Sequence, residues 1–291
     1  MSVFIRQSVT TQSGFKPDGA WVILSSIEAT IKNKIEAIGK RLKDWDINIY
    51  RGILTGYNEA FIIDQKTRDK LIEASSKNAD IIRPIVLGRN IKRYNYKWEG
   101  LWLINSHNGS KGQLKGINIQ EDYPIIFEYL KTFLPQIQLR ADQGSDWTNL
   151  RNCAYMSDFD KPKIAWGNLG LKGQFAFIEE PMIINAPSPF FATDNTYLLA
   201  ILNSRISDFY IKQLGVTRSG GYFEYKPMFV EQMPIPKVSN DEELYFKKMV
   251  KEILSCSDQE RGKLDLALEN KIADLYQLSE EEKAIIYGKA W

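Results

Sequence analysis

Apolar residues between Ile27 and Leu42 recur at spacings of three and four positions, after an opening stretch that shows no period. This spacing places one apolar stripe along a helix. Ser25 and Glu28 stand at the start of the stripe in the arrangement of a capping box, in which each side chain bonds a backbone N–H of the other residue. The pattern therefore predicts a loose lead-in and then a helix that docks through its stripe.

The pattern changes at Asp46, from which apolar and polar residues alternate with a period of two. Such alternation is typical of a strand with one buried face, and a second apolar run covers residues 60–63. Gly56 and Asn58 lie between the two runs, and both residue types accept the positive φ of a tight turn. We therefore expect two strands joined by a turn.

Helices and strands alternate along the next part of the chain. Amphipathic spacing predicts helices over residues 67–74, 124–137 and 194–210, the last of them capped by Asp194. Short β-prone runs separated by Gly, Pro and Asn predict strands at residues 101–104, 163–167, 174–178, 182–185 and 189–192. The last four runs favour a sheet of hairpins.

After Pro236 the pattern becomes wholly helical, with capping boxes at Asn240 with Glu243 and at Ser279 with Glu282. We therefore predict a mixed α/β (α+β) fold of small β-sheets flanked by helices, followed by a helical C-terminal tail. The predicted division is a lead-in and connector helix over residues 1–45, a mixed body over 46–237 and a helical segment over 238–291.

Composition excludes several classes of protein. A chain of 291 residues with 44% apolar residues can bury a substantial core. No stretch approaches the roughly 20 uncharged apolar residues of a membrane span, so a cytoplasmic location is expected. Cys153 and Cys256 are too few for a disulfide framework, and with the single His107 too few for a zinc site. We expect two buried, reduced cysteines, an exposed His107 and no metal.

The charged residues are unevenly distributed, although the formal net charge is only +2. Lys and Arg concentrate in residues 83–115 and again in residues 205–226. Acidic residues collect near the C-terminus, at 241–243 and 280–282. This asymmetry predicts a basic face in the middle of the chain.

Residues 50–64, YRGILTGYNEAFIID, resemble the opening of the TaqI-like C-terminal specificity domain of type IIG restriction enzymes and related adenine-specific DNA methyltransferases. Further markers follow in the order of that family: Arg83-Pro84, Leu87-Gly88-Arg89-Asn90-Ile91, Arg93-Tyr94, Leu150-Arg151-Asn152-Cys153-Ala154-Tyr155, Pro162-Lys163-Ile164, Leu202-Asn203-Ser204 and Met233-Pro234-Ile235-Pro236. The markers span roughly residues 40 to 237. The tail around Ile272 to Tyr276 also resembles the helical ending of DNA-specificity subunits.

The resemblance implies target recognition on double-stranded DNA within a restriction-modification system, and hence a role in phage defence. In the family, a methyltransferase domain that uses S-adenosylmethionine precedes this region, and a nuclease that uses magnesium accompanies it in some members. The motif Asn/Asp-Pro-Pro-Tyr/Phe, which clamps a flipped adenine, needs adjacent prolines, and none occur here. No Gly-x-Gly is present either. We expect no catalytic residue and no cofactor in this chain alone.

Sequence-specific binding needs cations for phosphates and planar or amide side chains for base edges. The first candidate segment is residues 88–94, in which Arg89, Lys92 and Arg93 are interleaved with an amide and an aromatic ring. Phosphate contact and a solvated charged turn explain this segment equally well.

The second candidate segment follows a predicted helix and contains a pair of glycines, which let a backbone approach a duplex closely. Its candidate DNA-binding residues are Lys212, Thr217, Arg218, Ser219, Gly220 and Tyr222. The alternative is an ordinary helix C-terminus, closed by glycine with basic residues near the negative end of the helix dipole.

Lys163 is a further candidate for DNA contact, on a predicted strand that also carries Trp166. Trp166 is expected in the core rather than as a stacking platform.

Two alternative functions stay open. In the first, the chain is a protein-interaction scaffold whose basic segments are merely solvated. In the second, it is an autonomous nuclease, because Pro17-Asp18 and the triplet from Asp64 to Lys66 match a metal-dependent nuclease pattern weakly.

Overall fold

The computed structural model describes residues 24–109, 115–215 and 217–288, apart from the side chains of residues 258 and 259. These residues fall into two compact units. The central unit comprises Ile49–Trp166 and Ala176–Asp194. The terminal unit comprises the described residues up to Asn48, then Gly167–Phe175, and those from Asn195 onward. The division at residues 45 and 237 that the sequence suggests stays a prediction.

The described helices are α1 (Ser26–Ile38), α2 (Asn58–Phe61), α3 (Gln65–Ala74), α4 (Ile119–Asp122), α5 (Pro124–Lys131), α6 (Thr196–Leu202), α7 (Arg205–Lys212), α8 (Pro227–Val230), α9 (Asn240–Ser255), α10 (Asp258–Leu275) and α11 (Glu280–Gly288). The described strands are β1 (Gly39–Arg41), β2 (Tyr50–Arg51), β3 (Ile62–Ile63), β4 (Ile82–Val86), β5 (Trp102–Ile104), β6 (Lys163–Trp166), β7 (Leu169–Gly170), β8 (Phe175–Ile178), β9 (Ile183–Ile184), β10 (Pro189–Ala192), β11 (Phe223–Glu224) and β12 (Pro234–Pro236). The predicted class, small sheets flanked by helices with a helical C-terminal region, is confirmed.

Two four-stranded sheets organise the central unit, in the orders β3-β5-β4-β9 and β2-β10-β6-β8. The expected sheet of consecutive hairpins is wrong, because β9 leaves its sequence neighbours and pairs in parallel with β4. Both residues of β9 are buried, as parallel strands covered on two faces require. Trp166 is fully buried, which confirms its predicted place in the core.

The expected hairpin between residues 47–53 and 60–63 is also wrong. Strand β2 pairs with β10, and β3 pairs with β5, so each strand finds its partner far along the chain. Gly56 has the predicted positive φ of 70°. Asn58 does not have a positive φ, because it begins helix α2.

Two predicted helices are shorter than the apolar spacing suggested. Helix α5 ends at Lys131, and Pro135 follows shortly, where it supplies no backbone N–H for a continued helix. The stretch 194–210 is divided into α6 and α7, because Ser204 accepts the Ser207 N–H and caps a second helix. The cap of α6 is Asn195 rather than Asp194.

The terminal unit joins the first helix to the C-terminal tail. Helix α1 begins at the predicted Ser25–Glu28 capping box. It ends at Ile38, because the extended Gly39 begins strand β1, which pairs with β12. Leu42 is therefore buried in a 3-10 turn (Leu42–Asp44) rather than in the helix. Helix α9 packs against α6 and α10.

Hydroxyl groups tie helix α6 and the tail to strand β12, and a carboxylate ties the tail to α7. The Tyr197 and Tyr276 hydroxyls donate to the carbonyls of Pro236 and Pro234 at 2.8 and 2.6 Å. The buried Glu269 carboxylate accepts the Arg205 N–H at 3.0 and 3.1 Å, where it satisfies the open N-terminus of α7. The helical tail is thus part of a packed unit.

The capping box of α9 begins at Ser239, one residue before the predicted Asn240, and its partner is Glu242. The box predicted at Ser279 with Glu282 is confirmed by hydrogen bonds in both directions. Cys153 is buried as expected, whereas Cys256 is only half-buried, and both thiols are free. None of the helices in the described ranges is long and apolar enough to cross a membrane.

Candidate nucleic-acid interface

The first candidate segment lies in the central unit and begins with a 3-10 turn at Gly88–Asn90. Asn90 is buried, whereas the Arg89 side chain is 69% exposed and pairs with Glu99 at 3.0 Å. Hydrogen bonds from Asn90 and Arg89 hold the pKa of the Glu99 carboxyl below its usual value. Arg89 is therefore open to solvent and already carries a counter-charge.

Residues 91–96 form a short hairpin. The backbones of Lys92 and Asn95 exchange hydrogen bonds of 2.8 and 3.2 Å, and Arg93 and Tyr94 occupy the turn. Lys92 is exposed and Arg93 is half-buried, with its guanidinium 4.8 Å from the centre of the buried Tyr94 ring. The structure thus brings Arg89, Lys92 and Arg93 into one short segment. Their exposure is compatible with phosphate contact and equally with a solvated turn.

The second candidate segment lies in the terminal unit, after helix α7. Lys212, in the last turn, pairs with Asp208 at 2.9 Å and is only 13% exposed. Asp208 also accepts the Gly173 N–H at 2.8 Å and the Tyr225 hydroxyl. Lys212 is therefore paired within the protein, and little of its side chain is exposed to a ligand.

The turn at residues 217–222 is exposed throughout, and it carries Thr217, Arg218, Ser219, Gly220 and Tyr222. The Arg218 N–H donates to the Tyr222 carbonyl at 2.7 Å and closes the turn. Gly220 and Gly221 have φ of 76° and 77°, which favours glycine at both positions. Val216 lies outside the described residues.

Glu224 anchors the base of this turn. Its carboxylate is 10% exposed, and it pairs with Arg218 at 2.5 Å and with Lys226 at 2.9 Å. Hydrogen bonds from Lys226 and Arg218 hold the pKa of Glu224 below its usual value. The Arg218 side chain nevertheless stays 54% exposed, so it can contact a ligand while it remains paired with Glu224.

Lys163 is removed from the candidate set by its burial. Every residue of β6 is buried, and the Lys163 ammonium donates to the Glu180 carbonyl at 2.8 Å. Burial lowers the pKa of Lys163 to about 8, with the Arg83 cation acting in the same direction and the Asp160 carboxylate opposing it. The side chain joins two segments inside the central unit, where a phosphate has no access to it.

Sequence reasoning missed a polar surface of the central unit that includes Asn108, Ser145, Arg151 and Asn152. Arg151 and Asn152 are exposed, and Asn108 is half-buried beside Asn152. The sequence feature that could have pointed to this surface is the run at residues 150–155, which resembles the family's sequences but shows no hydrophobic periodicity. His107, expected to be exposed, is half-buried, and burial lowers the pKa of its imidazole.

The nuclease pattern has a structural explanation at Asp64. Its carboxylate accepts the Thr67 N–H at 2.8 Å and caps helix α3, and the hydrogen bonds from Thr67 lower its pKa. Asp18 lies outside the described residues. Within the described ranges, no group of three His, Cys, Asp or Glu side chains could hold a metal ion.

Two solved structures of restriction-modification enzymes share this fold. The type IIL enzyme MmeI, solved in complex with DNA, has a TM-score of 0.61 and 10% identity over 93% of this chain and 37% of its own. The type IIG restriction endonuclease BpuSI has a TM-score of 0.50 and 15% identity over 87% of this chain and 33% of its own. The fold is therefore one that restriction-modification enzymes contain.

The family model of the TaqI-like C-terminal specificity domain matches residues 83–235, which is more than half of the chain. The chain belongs to this family.

Two relatives carry the names of methyltransferases. The type II methyltransferase M.PaeR7I of Pseudomonas aeruginosa is 20% identical over 291 residues, which cover 98% of this chain and 47% of the relative. The type II methyltransferase M.MjaIV of Methanocaldococcus jannaschii is 23% identical over 215 residues, 70% of this chain and 69% of the relative. The chain thus spans about half the length of M.PaeR7I.

Proposed function

We propose that this chain recognises a short duplex DNA sequence and positions a catalytic methyltransferase domain that lies outside these 291 residues. Its membership of the specificity-domain family supports recognition, and the structure of MmeI, which shares the fold, was determined in complex with DNA. The two relatives named type II methyltransferases support the catalytic partner. A cytoplasmic location and a role in phage defence follow from the same proposal.

The observation that carries the proposal is the exposed turn at residues 217–222. Gly220 and Gly221 leave two consecutive positions of the turn without a side chain, and Arg218 lies in the same turn with its side chain 54% exposed. Backbone N–H groups and a guanidinium are donors that phosphate oxygens accept, and such contacts set the register of a protein on a duplex. Arg89, Lys92 and Arg93 supply further cations in the central unit.

The chain's part in the mechanism is binding, with no bond made or broken by its own residues. The catalytic partner would transfer methyl from S-adenosylmethionine to adenine N6, and an accompanying nuclease would use magnesium. Flipping a base out of the stack costs a few kcal/mol. Contacts made by this domain on the same duplex help to offset that cost.

The test is a fluorescence-anisotropy titration with a random-sequence duplex pool at 50 and 200 mM salt. Each neutralised phosphate should weaken binding by roughly 3.5-fold between these salt concentrations. Arg218→Ala should weaken binding at 50 mM salt and reduce the slope of log K against log salt by about 0.9. Lys248→Ala, which removes one exposed cation from α9, is the matched control and should change neither quantity.

Binding that does not respond to salt would contradict the proposal and favour the interaction scaffold. Absence of binding, both by the chain and by the chain joined to its methyltransferase domain, would contradict it as well. Lys212→Ala is a poor test, because it removes the cation that pairs with the buried Asp208.

A further inference from the structure

Two loops of the central unit run side by side and are bonded to each other. The Leu150 N–H donates to the Ser106 carbonyl at 2.9 Å, and His107 and Leu150 form a parallel bridge. Asn149 adds a side-chain hydrogen bond of 2.8 Å to the Ile117 carbonyl. This pairing places Asn108 of one loop beside Asn152 of the other.

The approach of the loops leaves no room for a side chain at Gly144. A Cβ there would lie 2.6 Å from the Leu150 carbonyl oxygen and 2.8 Å from the Asn108 side chain. Such distances are below any ordinary van der Waals contact. The loop geometry around Asn108 is therefore closely packed, although the loops lie at the surface.

A chain of hydrogen bonds fixes the orientation of two amide side chains. Asn108 Oδ1 accepts the Ser145 backbone N–H at 3.0 Å and the Ser145 hydroxyl at 2.6 Å. Because a backbone N–H can only donate, the Asn108 Nδ2 must be the group that faces Asn152, where it donates to Oδ1. Asn152 is thus held with its carbonyl oxygen occupied, and its Nδ2 donates to no other residue within the described ranges.

Arg151 stands next to Asn152 with a side chain that is 62% exposed. Its Nη1 donates to Asp142 Oδ1 at 2.9 Å, and Asp142 is 24% exposed. This pairing orients the guanidinium and leaves other N–H groups available. Arg218 has a similar carboxylate partner, so this pairing alone does not separate a phosphate from a base. What distinguishes Arg151 is the oriented amide of Asn152 next to it.

The exposed groups of Arg151 and Asn152 are consequently donors. In the major groove, acceptors lie on guanine O6 and N7, adenine N7 and thymine O4, and a guanidinium matches the two acceptors of guanine. On the basis of the proposed function, we propose that Arg151 recognises a guanine and that Asn152 donates to an acceptor of a neighbouring base. Asn108 and Ser145 are positioning residues, because they act on the base only through Asn152.

The experiment selects duplexes with randomised positions by binding to the chain and sequences the bound fraction. Arg151→Lys keeps the charge but loses the two-pronged geometry, so it should reduce the preference for guanine at one position by about 5- to 150-fold. Asn152→Asp replaces the donor by an acceptor, so the preference at a neighbouring position should move toward cytosine or adenine, which present amino donors. Arg218→Ala is the contrast and should weaken all sequences alike.

Asn108→Asp tests the positioning role. It keeps the acceptor for Ser145 and removes the donor to Asn152, so the preference at the position that Asn152 contacts should weaken while the guanine preference stays. All variants should keep the wild-type melting temperature within a few degrees, because the replaced groups are not part of the core.

The outcomes separate this inference from the proposed function. Wild-type binding with a base preference that neither Arg151→Lys nor Asn152→Asp alters would overturn the inference and leave the function standing. Weakening of all sequences alike by Arg151→Ala, with Arg151→Lys behaving as wild type, would identify a phosphate contact and would also overturn it. A wild-type chain that binds without any base preference would contradict the proposed function itself.

Discussion

Replacing the buried Arg140 by methionine should destabilise the central unit strongly. The Arg140 residue is 6% exposed, and its guanidinium lies 4.5 Å from the centre of the Phe61 ring. It donates to the carbonyls of Thr55 at 2.7 Å and Trp147 at 3.0 Å, and also to those of Asp142 and Asn149. Burial lowers the pKa of Arg140 to about 10, so it remains charged at neutral pH.

The magnitude follows from the four carbonyl contacts. A hydrogen bond to a charged group contributes about 1.5–3 kcal/mol net of its exchange with water, so four bonds that were additive would contribute at most roughly 6–12 kcal/mol. Taking a guanidinium out of water costs several kcal/mol, and methionine avoids that cost. We therefore expect Arg140→Met to lower the free energy of unfolding by about 3–5 kcal/mol. This is a large share of the roughly 5–15 kcal/mol that holds a typical domain folded.

The assay is urea unfolding followed by circular dichroism, with hydrogen exchange of the amides of residues 141–152 as a local readout. Arg151→Met is the matched control, since it removes the same group from an exposed position nearby and should change stability by less than about 0.5 kcal/mol. Arg140→Lys keeps the charge but has fewer N–H donors, so its loss in free energy of unfolding should lie between those of Arg140→Met and Arg151→Met. A loss below about 1 kcal/mol for Arg140→Met would refute the idea that this guanidinium organises the loop.

Two further perturbations test the buried groups. The pKa of Lys163 is about 8 in the folded chain and 10.5 for the free side chain. Between pH 8 and pH 10.5 the unfolded state therefore binds more protons at this residue than the folded state does. Stability should therefore rise with pH in that window, by at most about 1.4 kcal/mol per pH unit, and Lys163→Met should lack this rise. Parallel pH profiles of the two proteins in urea would contradict the lowered pKa. Cys256 should react with a thiol reagent before Cys153, because burial raises the pKa of the Cys153 thiol and shields it. Mass spectrometry after brief labelling, with Cys256→Ser as control, would contradict this if Cys153 were modified first.

Local signals in the sequence predicted local structure well. The capping boxes at Ser25 and Ser279 mark real helix starts, because their hydrogen bonds join residues only three positions apart. Gly56 has the positive φ that its residue type suggested. The turn at 217–222 contains two consecutive glycines, which adopt positive φ without the steric cost that other residues meet. In each case the interaction that decides the structure lies within one short window of the chain.

Strand pairing could not be predicted in this way. The hairpin expected between residues 47–53 and 60–63 fails because β2 finds its partner in β10 and β3 finds its partner in β5. Alternation of apolar residues shows that a strand has a buried face, but it contains no information about which strand lies beside it. The prediction that Lys163 contacts DNA fails for a related reason. Every residue of β6 is buried, so both faces of this strand are covered, which alternation along the sequence does not reveal.

The sequence by itself determined the class of fold, the helix starts after Ser25 and Ser279, and the family, through markers that occur in a fixed order. The tertiary structure alone decided which charged side chains a ligand can reach. Arg218 and Arg151 remain exposed beside carboxylate partners, whereas Lys212, Lys163 and Arg140 are bonded inside the protein. The reason is physical, because the charge of a residue is set by its type, but its access to a phosphate or a base depends on neighbours that are distant in the chain.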